Sequence, residues 1–252
     1  MLRTAGYVVV SLAALMLSVP AAYADNSKKF GFEIEAGPVW QSRNDVRIPS
    51  DTGTKFSLRD IQSSGPFAAA RVYFDYTFLP KHELRFLAAP LTLKGSGQLA
   101  GPTSFAGATF SPGQPVEGVY QFNSYRLTYR YRIYEGDRWT WKIGVTGKIR
   151  DAKIELHQGG VSALDDNVGF VPLLHLDGEY RWNPKWHLNL NMDGLAAPQG
   201  RAFDVGLKLK YDLSKNWTLG FGYRMLEGGA DVKDVYAFGW LHYAAASITF
   251  RF

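Results

Sequence analysis

His175, Asp193, Asp204 and Arg224 are the residues of this chain on which chemistry could be built. A carboxylate beside an imidazole can tune it as a general base, and two close carboxylates push one of their pKa values upward. Whether the four can meet depends on the elements that carry them. Each lies in a run where apolar and polar residues alternate, as in Leu174, Leu176, Tyr180 and Trp182 against His175, Asp177, Glu179 and Arg181. A period of two puts each set on one face of a β-strand. Short turns then set the register. With Trp182 and Trp186 paired across the turn at Pro184, His175 falls roughly opposite Asp193. With Tyr211 paired to Trp217 across Lys215, Asp204 falls roughly opposite Arg224. The link over residues 195–201 is short, so Asp193 and Asp204 become near neighbours. A row His175–Asp193–Asp204–Arg224 would cross four strands, provided no bulge turns a residue to the other face.

A second cluster is basic. Arg126 and Arg130 share one strand face, and Lys142 and Thr146 should lie opposite them on the next strand. Facing like charges are destabilising unless acids bridge them, and Asp177 and Glu179 on the following strand are placed to do so. The alternative is an anion site. Ser124 shares the face of Arg126, but no turn register sets a histidine beside it, which leaves a Ser–His hydrolase without its base. No metal-ligand spacing, phosphate-binding glycine loop or nucleophile elbow occurs, and there is no cysteine. Gly144 and Gly147 sit inside a strand, as packing devices. No metal and no cofactor is therefore expected.

The same alternation recurs along the chain and predicts about ten strands, with eight or twelve as alternatives. Phe30, Phe32, Ile34 and Ala36 alternate with Glu33 and Glu35; Tyr125, Leu127, Tyr129 and Tyr131 with Arg126 and Arg130; Phe203, Val205, Leu207 and Leu209 with Asp204 and Lys208. Pro90 predicts an irregularity in the third strand. Short turns at Pro80, Gly136, Pro184 and Lys215 alternate with longer links over residues 41–66, 95–116, 157–167, 195–201 and 228–235. That rhythm places all short turns at one end of an up-and-down barrel. Trp139, Trp182, Trp186 and Trp217 flank the short turns, while Trp40 and Trp240 lie near the opposite strand ends, as two interfacial belts would require.

Of 252 residues, 46% are hydrophobic and 15% aromatic. Packing so many Trp, Tyr, Phe and Leu side chains inside a small soluble barrel is sterically unreasonable, so the apolar faces are expected to meet lipid and the charged faces to line the lumen. Mean hydropathy is only −0.17, and beyond the N-terminus no run approaches the ~18 apolar residues of a spanning helix. The expected class is an all-β, transmembrane antiparallel barrel over residues 25–252. The formal charge of +5 is scattered, unlike a nucleic-acid footprint.

The N-terminus reads as a cleaved signal peptide over residues 1–24, with Arg3, an apolar stretch from Tyr7 to Val19, and Ala22-Tyr23-Ala24 as the cleavage site. The chain closes on an alternating strand that stops at Phe252. An even strand count places both termini in the periplasm. The segment 41–66 carries turn residues and regularly placed apolar side chains, and reads either as a lid over the barrel mouth or as a surface loop. The run 95–113, rich in Gly, Ser, Ala and Pro, reads as a mobile loop.

On these features the chain resembles the small bacterial outer-membrane barrels, the broad group holding the OmpW-like and OmpA-like barrels. The runs 44–56, 123–132, 170–174 and 227–236 look like those of one particular family of such barrels, a likeness that brings no activity with it. The final strand resembles the signal read by barrel-assembly machinery. The resemblance implies an outer-membrane location, contact with outer-membrane lipid and lipopolysaccharide, a monomer, and no nucleic acid. It resembles the omptin proteases in architecture only. The functional expectation is a non-enzymatic barrel with a charged, largely plugged lumen; the alternatives are an outer-rim enzyme acting on lipid A, phospholipid or peptide, and an adhesin using its long loops.

Overall fold

The computed structural model describes residues 28–252, so the expected signal peptide over residues 1–24 lies outside the described residues. Alternating sequence becomes alternating burial. In β1 (Phe30–Arg47), Glu33 and Glu35 are 1% exposed, while Phe32 and Ile34, which alternate with them, are 40% and 42% exposed. Thirteen further strands follow: β2 (Phe56–Ser57), β3 (Phe67–Leu79), β4 (His82–Ala89), β5 (Thr92–Gln98), β6 (Thr103–Phe105), β7 (Ala108–Phe110), β8 (Pro115–Glu135), β9 (Trp139–Gln158), β10 (Val161–Arg181), β11 (Trp186–Ala197), β12 (Gly200–Asp212), β13 (Trp217–Asp231) and β14 (Tyr236–Arg251). One turn of helix, α1 (Arg59–Gln62), lies between β2 and β3.

Neighbouring strands pair antiparallel around a ring, and β14 closes it on β1, with Gly31 opposite Arg251 and Ala36 opposite Ala246. The wall has ten strands, because β4 and β5 both pair with β8 and act as one strand interrupted at Pro90. Outside, Leu127, Ile143, Val145, Leu207, Phe221 and Ile248 are exposed; inside, Arg126, Arg130, Lys208 and Arg224 are buried. This inverts a water-soluble protein and suits a hydrocarbon surrounding. In lipid, Leu207→Arg is expected to destabilise the barrel by about 2–4 kcal/mol. In water the same change would be close to neutral, so urea unfolding of the variant in bilayers tests which solvent the outer face meets.

Several strands run farther than their hydrophobic alternation suggests. The links expected over 157–167 and 195–201 are nearly all strand: β9 and β10 meet at Gly159-Gly160, and β11 and β12 at Pro198-Gln199. Above the apolar band the outward positions of β9 turn polar, at Asp151, Lys153, Glu155 and His157, so its ladder continues while the periodic signal fades. The run 95–113 is likewise not a free loop, for β5 and the β6–β7 hairpin organise most of it.

The segment after β1 folds into the mouth of the barrel, as the lid reading required. Leu58, just before α1, and Ile61 within it join Val46 and Ile48, Leu99, Phe105 and Phe110, Val116, and Ile154 and Leu156 in one buried apolar cluster. The inward face there lacks side chains where α1 rests. A Cβ on Gly95 would lie 2.5 Å from the Gln62 backbone, and one on Gly118 would lie 2.9 Å from Ile61. Glycine permits that close approach.

Candidate functional site

Below this plug the lumen is filled by charge, in two layers. Nearer the short turns, Arg85 holds Asp75 through two parallel bonds of 2.6 and 2.7 Å, the bidentate fork that makes arginine–carboxylate pairs strong. Arg130 donates to Asp75 at 2.8 Å and also pairs with Glu83. Lys142 meets Glu83 at 2.8 Å. Asp177 accepts from Asn189 and Asn191, with Arg130 at 3.9 Å.

The second layer sits in mid-barrel. Asp204 on β12 is 2.8 Å from Arg71 of β3, 2.7 Å from Arg126 of β8 and 2.5 Å from Arg224 of β13. Arg224 also reaches Glu35 at 2.8 Å, and Lys208 joins Glu35 at 2.7 Å and Glu33. Arg126 donates to Asp193 at 2.7 Å. The other Asp193 oxygen meets His175 Nδ1 at 2.7 Å and accepts from the Thr146 hydroxyl at 2.8 Å. Because β3 and β12, or β8 and β11, are not neighbours in the wall, these bonds are chords across the bore.

The row expected from the sequence therefore forms, with one shift. His175 faces Asp193 and Asp193 faces Asp204 in register, but Asp204 faces Leu226, and Arg224 faces Gly206. The last turn holds Leu213 rather than Tyr211 against Trp217, which moves β13 by two residues. Arg224 still reaches Asp204, because Gly206 leaves its guanidinium room: a Cβ there would stand 2.8 Å away. The basic cluster is shifted in the same sense, with Arg126 facing Lys148, Thr128 facing Thr146 and Arg132 facing Lys142. Lys142 and Arg130 share acids as expected, but Glu179 does not join them; it pairs with Arg181 at 2.8 Å. Glu83 takes its place. Its signal was present, since it shares the parity of the inward Arg85 just after the turn at Pro80.

His175 Nε2 is buried with no partner among the described residues. A base so placed needs room for a substrate, yet neither His175 nor Asp193 lines the larger cavity of the barrel or the polar recess at its short-turn end. The smaller cavity, about 110 Å³, is a polar recess at the short-turn end between Lys29, Asp75 and Lys210. The larger holds about 540 Å³ and lies beside the plug, above the Asp204 layer. Arg126, Lys148 and Arg150 reach it from below; Tyr120, Phe122, Leu173, Leu195 and Leu226 line its walls. Tyr120 and Phe122 are stacked, 6.2 Å between ring centroids. At the rim, beyond the apolar band, burial raises the Asp165 carboxyl above its ordinary range, helped by the adjacent Asp166 charge.

No protein-family model matches the chain, and no curated protein sequence does. Solved structures do. The outer-membrane protease OmpT from Escherichia coli aligns at a TM-score of 0.50 and 12% identity, over 89% of this chain and 97% of that one. The translocator domain of the autotransporter NalP from Neisseria meningitidis aligns at 0.40 and 11%, over 91% and 90%. The attachment invasion locus protein Ail of Yersinia pestis, in complex with the heparin analogue sucrose octasulfate, aligns at 0.39 and 10%, over 89% and 99%. The first establishes a common fold and nothing about activity. Ring closure, an apolar outer face and that likeness agree: the chain is a closed, ten-stranded antiparallel β-barrel of the outer-membrane type.

Proposed function

We propose that this protein is an integral outer-membrane barrel whose lumen is closed to through-flow, and that it works by binding at its outer end rather than by catalysis or conduction. The leader over residues 1–24 exports it, the termini and short turns lie in the periplasm, and barrel-assembly machinery reads the strand ending at Phe252. It stands as a monomer among outer-membrane lipid and lipopolysaccharide. Exposed aromatics support that placement: Trp139, Trp182, Trp186 and Trp217 ring the short-turn end, while Trp40 and Trp240 stand at the other, the two girdles of a membrane barrel.

The observation that carries the reading is the set of chords across the bore. Arg71, Arg126 and Arg224 converge on Asp204 from three directions, and Asp204 is 2% exposed. Every charge named in these two layers has a partner, so the network has little reason to part for a passing ion. Above it the α1 plug closes the mouth a second time. The His175–Asp193 pair is read as part of this network.

Reconstituted in planar bilayers, the purified barrel is expected to give no stepwise conductance at moderate voltage. Reproducible single-channel openings would overturn the closed-lumen reading.

A further inference from the structure

The barrel wall is incomplete on one side. β10 and β9 are paired along their whole length, from Val161 opposite Gln158 to Tyr180 opposite Trp139. With β11, however, β10 pairs only from Arg181 up to Leu174 opposite Gly194. Residues 161–173 have no strand on that side, although β11 continues to Ala197 in its ladder with β12. Pro172, with no N–H to give, stands just above the last pair, as strand edges tolerate. Val168 and Phe170 on this lip are 70% and 67% exposed.

The large cavity runs through that gap. Its lining includes Val171, Leu173 and Leu195, whose parity is inward, and also Phe170, Pro172 and Phe203, whose parity is outward. A cavity bounded by both faces of the same strands passes through the wall. The gap opens at the upper edge of the apolar band, at Leu195, the first residue of β11 beyond its ladder with β10.

Inside the opening stands an unbalanced charge. Lys148 lies opposite Val171 in the β9–β10 ladder, is 3% exposed and lines the cavity. No acid lies within salt-bridge distance of its ammonium among the described residues; the Phe122 ring lies beneath it at 4.7 Å. Next to it, Arg150 donates to Asn167 while its Nε is buried and unpartnered. A buried ammonium without a counter-charge is costly and calls for an anion. The walls above it are aliphatic and aromatic, and a volume of about 540 Å³ falls among small-ligand sites.

We propose that this cavity binds an anionic amphiphile of the outer leaflet, with its head on Lys148 and Arg150 and its acyl chain along the apolar wall, entering sideways between β10 and β11. The proposal rests on the reading that lipid surrounds the barrel, and is independent of whether the lumen conducts. A carboxylate and a phosphate head share this chemistry.

The test uses the full mature chain, folded in uncharged maltoside micelles and checked for the heat-modifiable gel mobility of an intact barrel. Binding of the fluorescent fatty acid cis-parinarate is followed, with palmitate, 1-palmitoyl-lysophosphatidate and uncharged hexadecanol as competitors. Saturable binding is expected, with hexadecanol at least tenfold weaker than the better of the two anions. Preference for palmitate points to a free fatty acid, preference for the lysophosphatidate to a lipid headgroup. Lys148→Met removes an unpaired buried charge, so it should fold at least as well as the parent, yet bind at least tenfold more weakly. Lys94→Met, on the exposed face of β5, should change nothing. A bulky maleimide on Ala196→Cys, at the outer lip, should slow loading from lipid vesicles; the same label on Lys94→Cys should not. Unsaturable partitioning, equal affinity for hexadecanol, or unchanged binding in Lys148→Met would overturn the site. Unchanged loading of labelled Ala196→Cys would overturn the sideways route. None of these results bears on the conductance experiment, so the two readings fail separately.

Discussion

Arg224→Ala is expected to lower the stability of the folded barrel by about 3–5 kcal/mol, the cost of leaving buried charges without a partner. Arg224 holds Glu35 at 2.8 Å and Asp204 at 2.5 Å, and both acids are almost wholly buried. Asp204 keeps Arg71 and Arg126, and Glu35 keeps Lys208, so the loss should fall toward the lower end of that range. The urea midpoint of the barrel in micelles, followed by tryptophan fluorescence and gel mobility, reads it directly. Arg224→Lys restores the charge but not the planar fork, and should recover only part of the stability. In Arg224→Ala combined with Asp204→Asn the shared Arg224–Asp204 bond is lost once rather than twice, so the double variant should lose less stability than the sum of the single losses. Additive losses would mean that the two residues do not share one network.

Ile61→Asp is expected to release the plug without unfolding the barrel. Ile61 is 1% exposed within the apolar cluster that caps the mouth. A carboxylate buried there has no partner and loses the transfer energy of the isoleucine as well, several kcal/mol in sum. The backbone of α1 adds no bond to the barrel ladders, and its own turn is closed by bonds from Ile61 and Gln62 to Leu58 and from Ser63 to Arg59. Two side chains tie it to the wall, Arg59 donating to the Ser42 carbonyl at 2.7 Å and Gln62 to the Leu93 carbonyl at 3.2 Å. Protease should therefore nick the segment over residues 49–66 far faster in the variant, while the urea midpoint of the barrel changes little. The variant should also stay silent in planar bilayers, because the ion-pair layers lie below the plug. If the midpoint falls together with the protease protection, plug and wall are one cooperative unit.

Strand number, face and order were open to reading along the chain, because a period of two is local. Glu33 and Glu35 could be assigned inward from Phe32 and Ile34 alone, and the seam between the first and last strands followed from an even count. His175 opposite Asp193 was equally accessible, since one tight turn at Pro184 sets that register. The offset at Arg224 was not, because the turn at Lys215 closes on Leu213 and a single turn choice moves the strand by two residues. Glu83 was overlooked for a related reason: it follows a turn directly, where alternation has only just begun.

What the amino-acid sequence determined by itself is the barrel, its inside and its outside, since each depends on neighbours one or two residues apart. Which charges meet was decided only by closure of the ring. Arg71 and Asp204 are far apart along the chain and belong to strands that never pair. Their contact depends on barrel diameter and stagger, properties of all ten strands at once. The opening between β10 and β11 is likewise a tertiary fact. The turn after β11 is legible as the link over 195–201, but residues 157–167 read as a link as well, and only the structure carries β9 and β10 through them, past the point where β11 turns back. The exposed edge and the unpaired Lys148 beside it follow from two hairpins of unequal length set side by side.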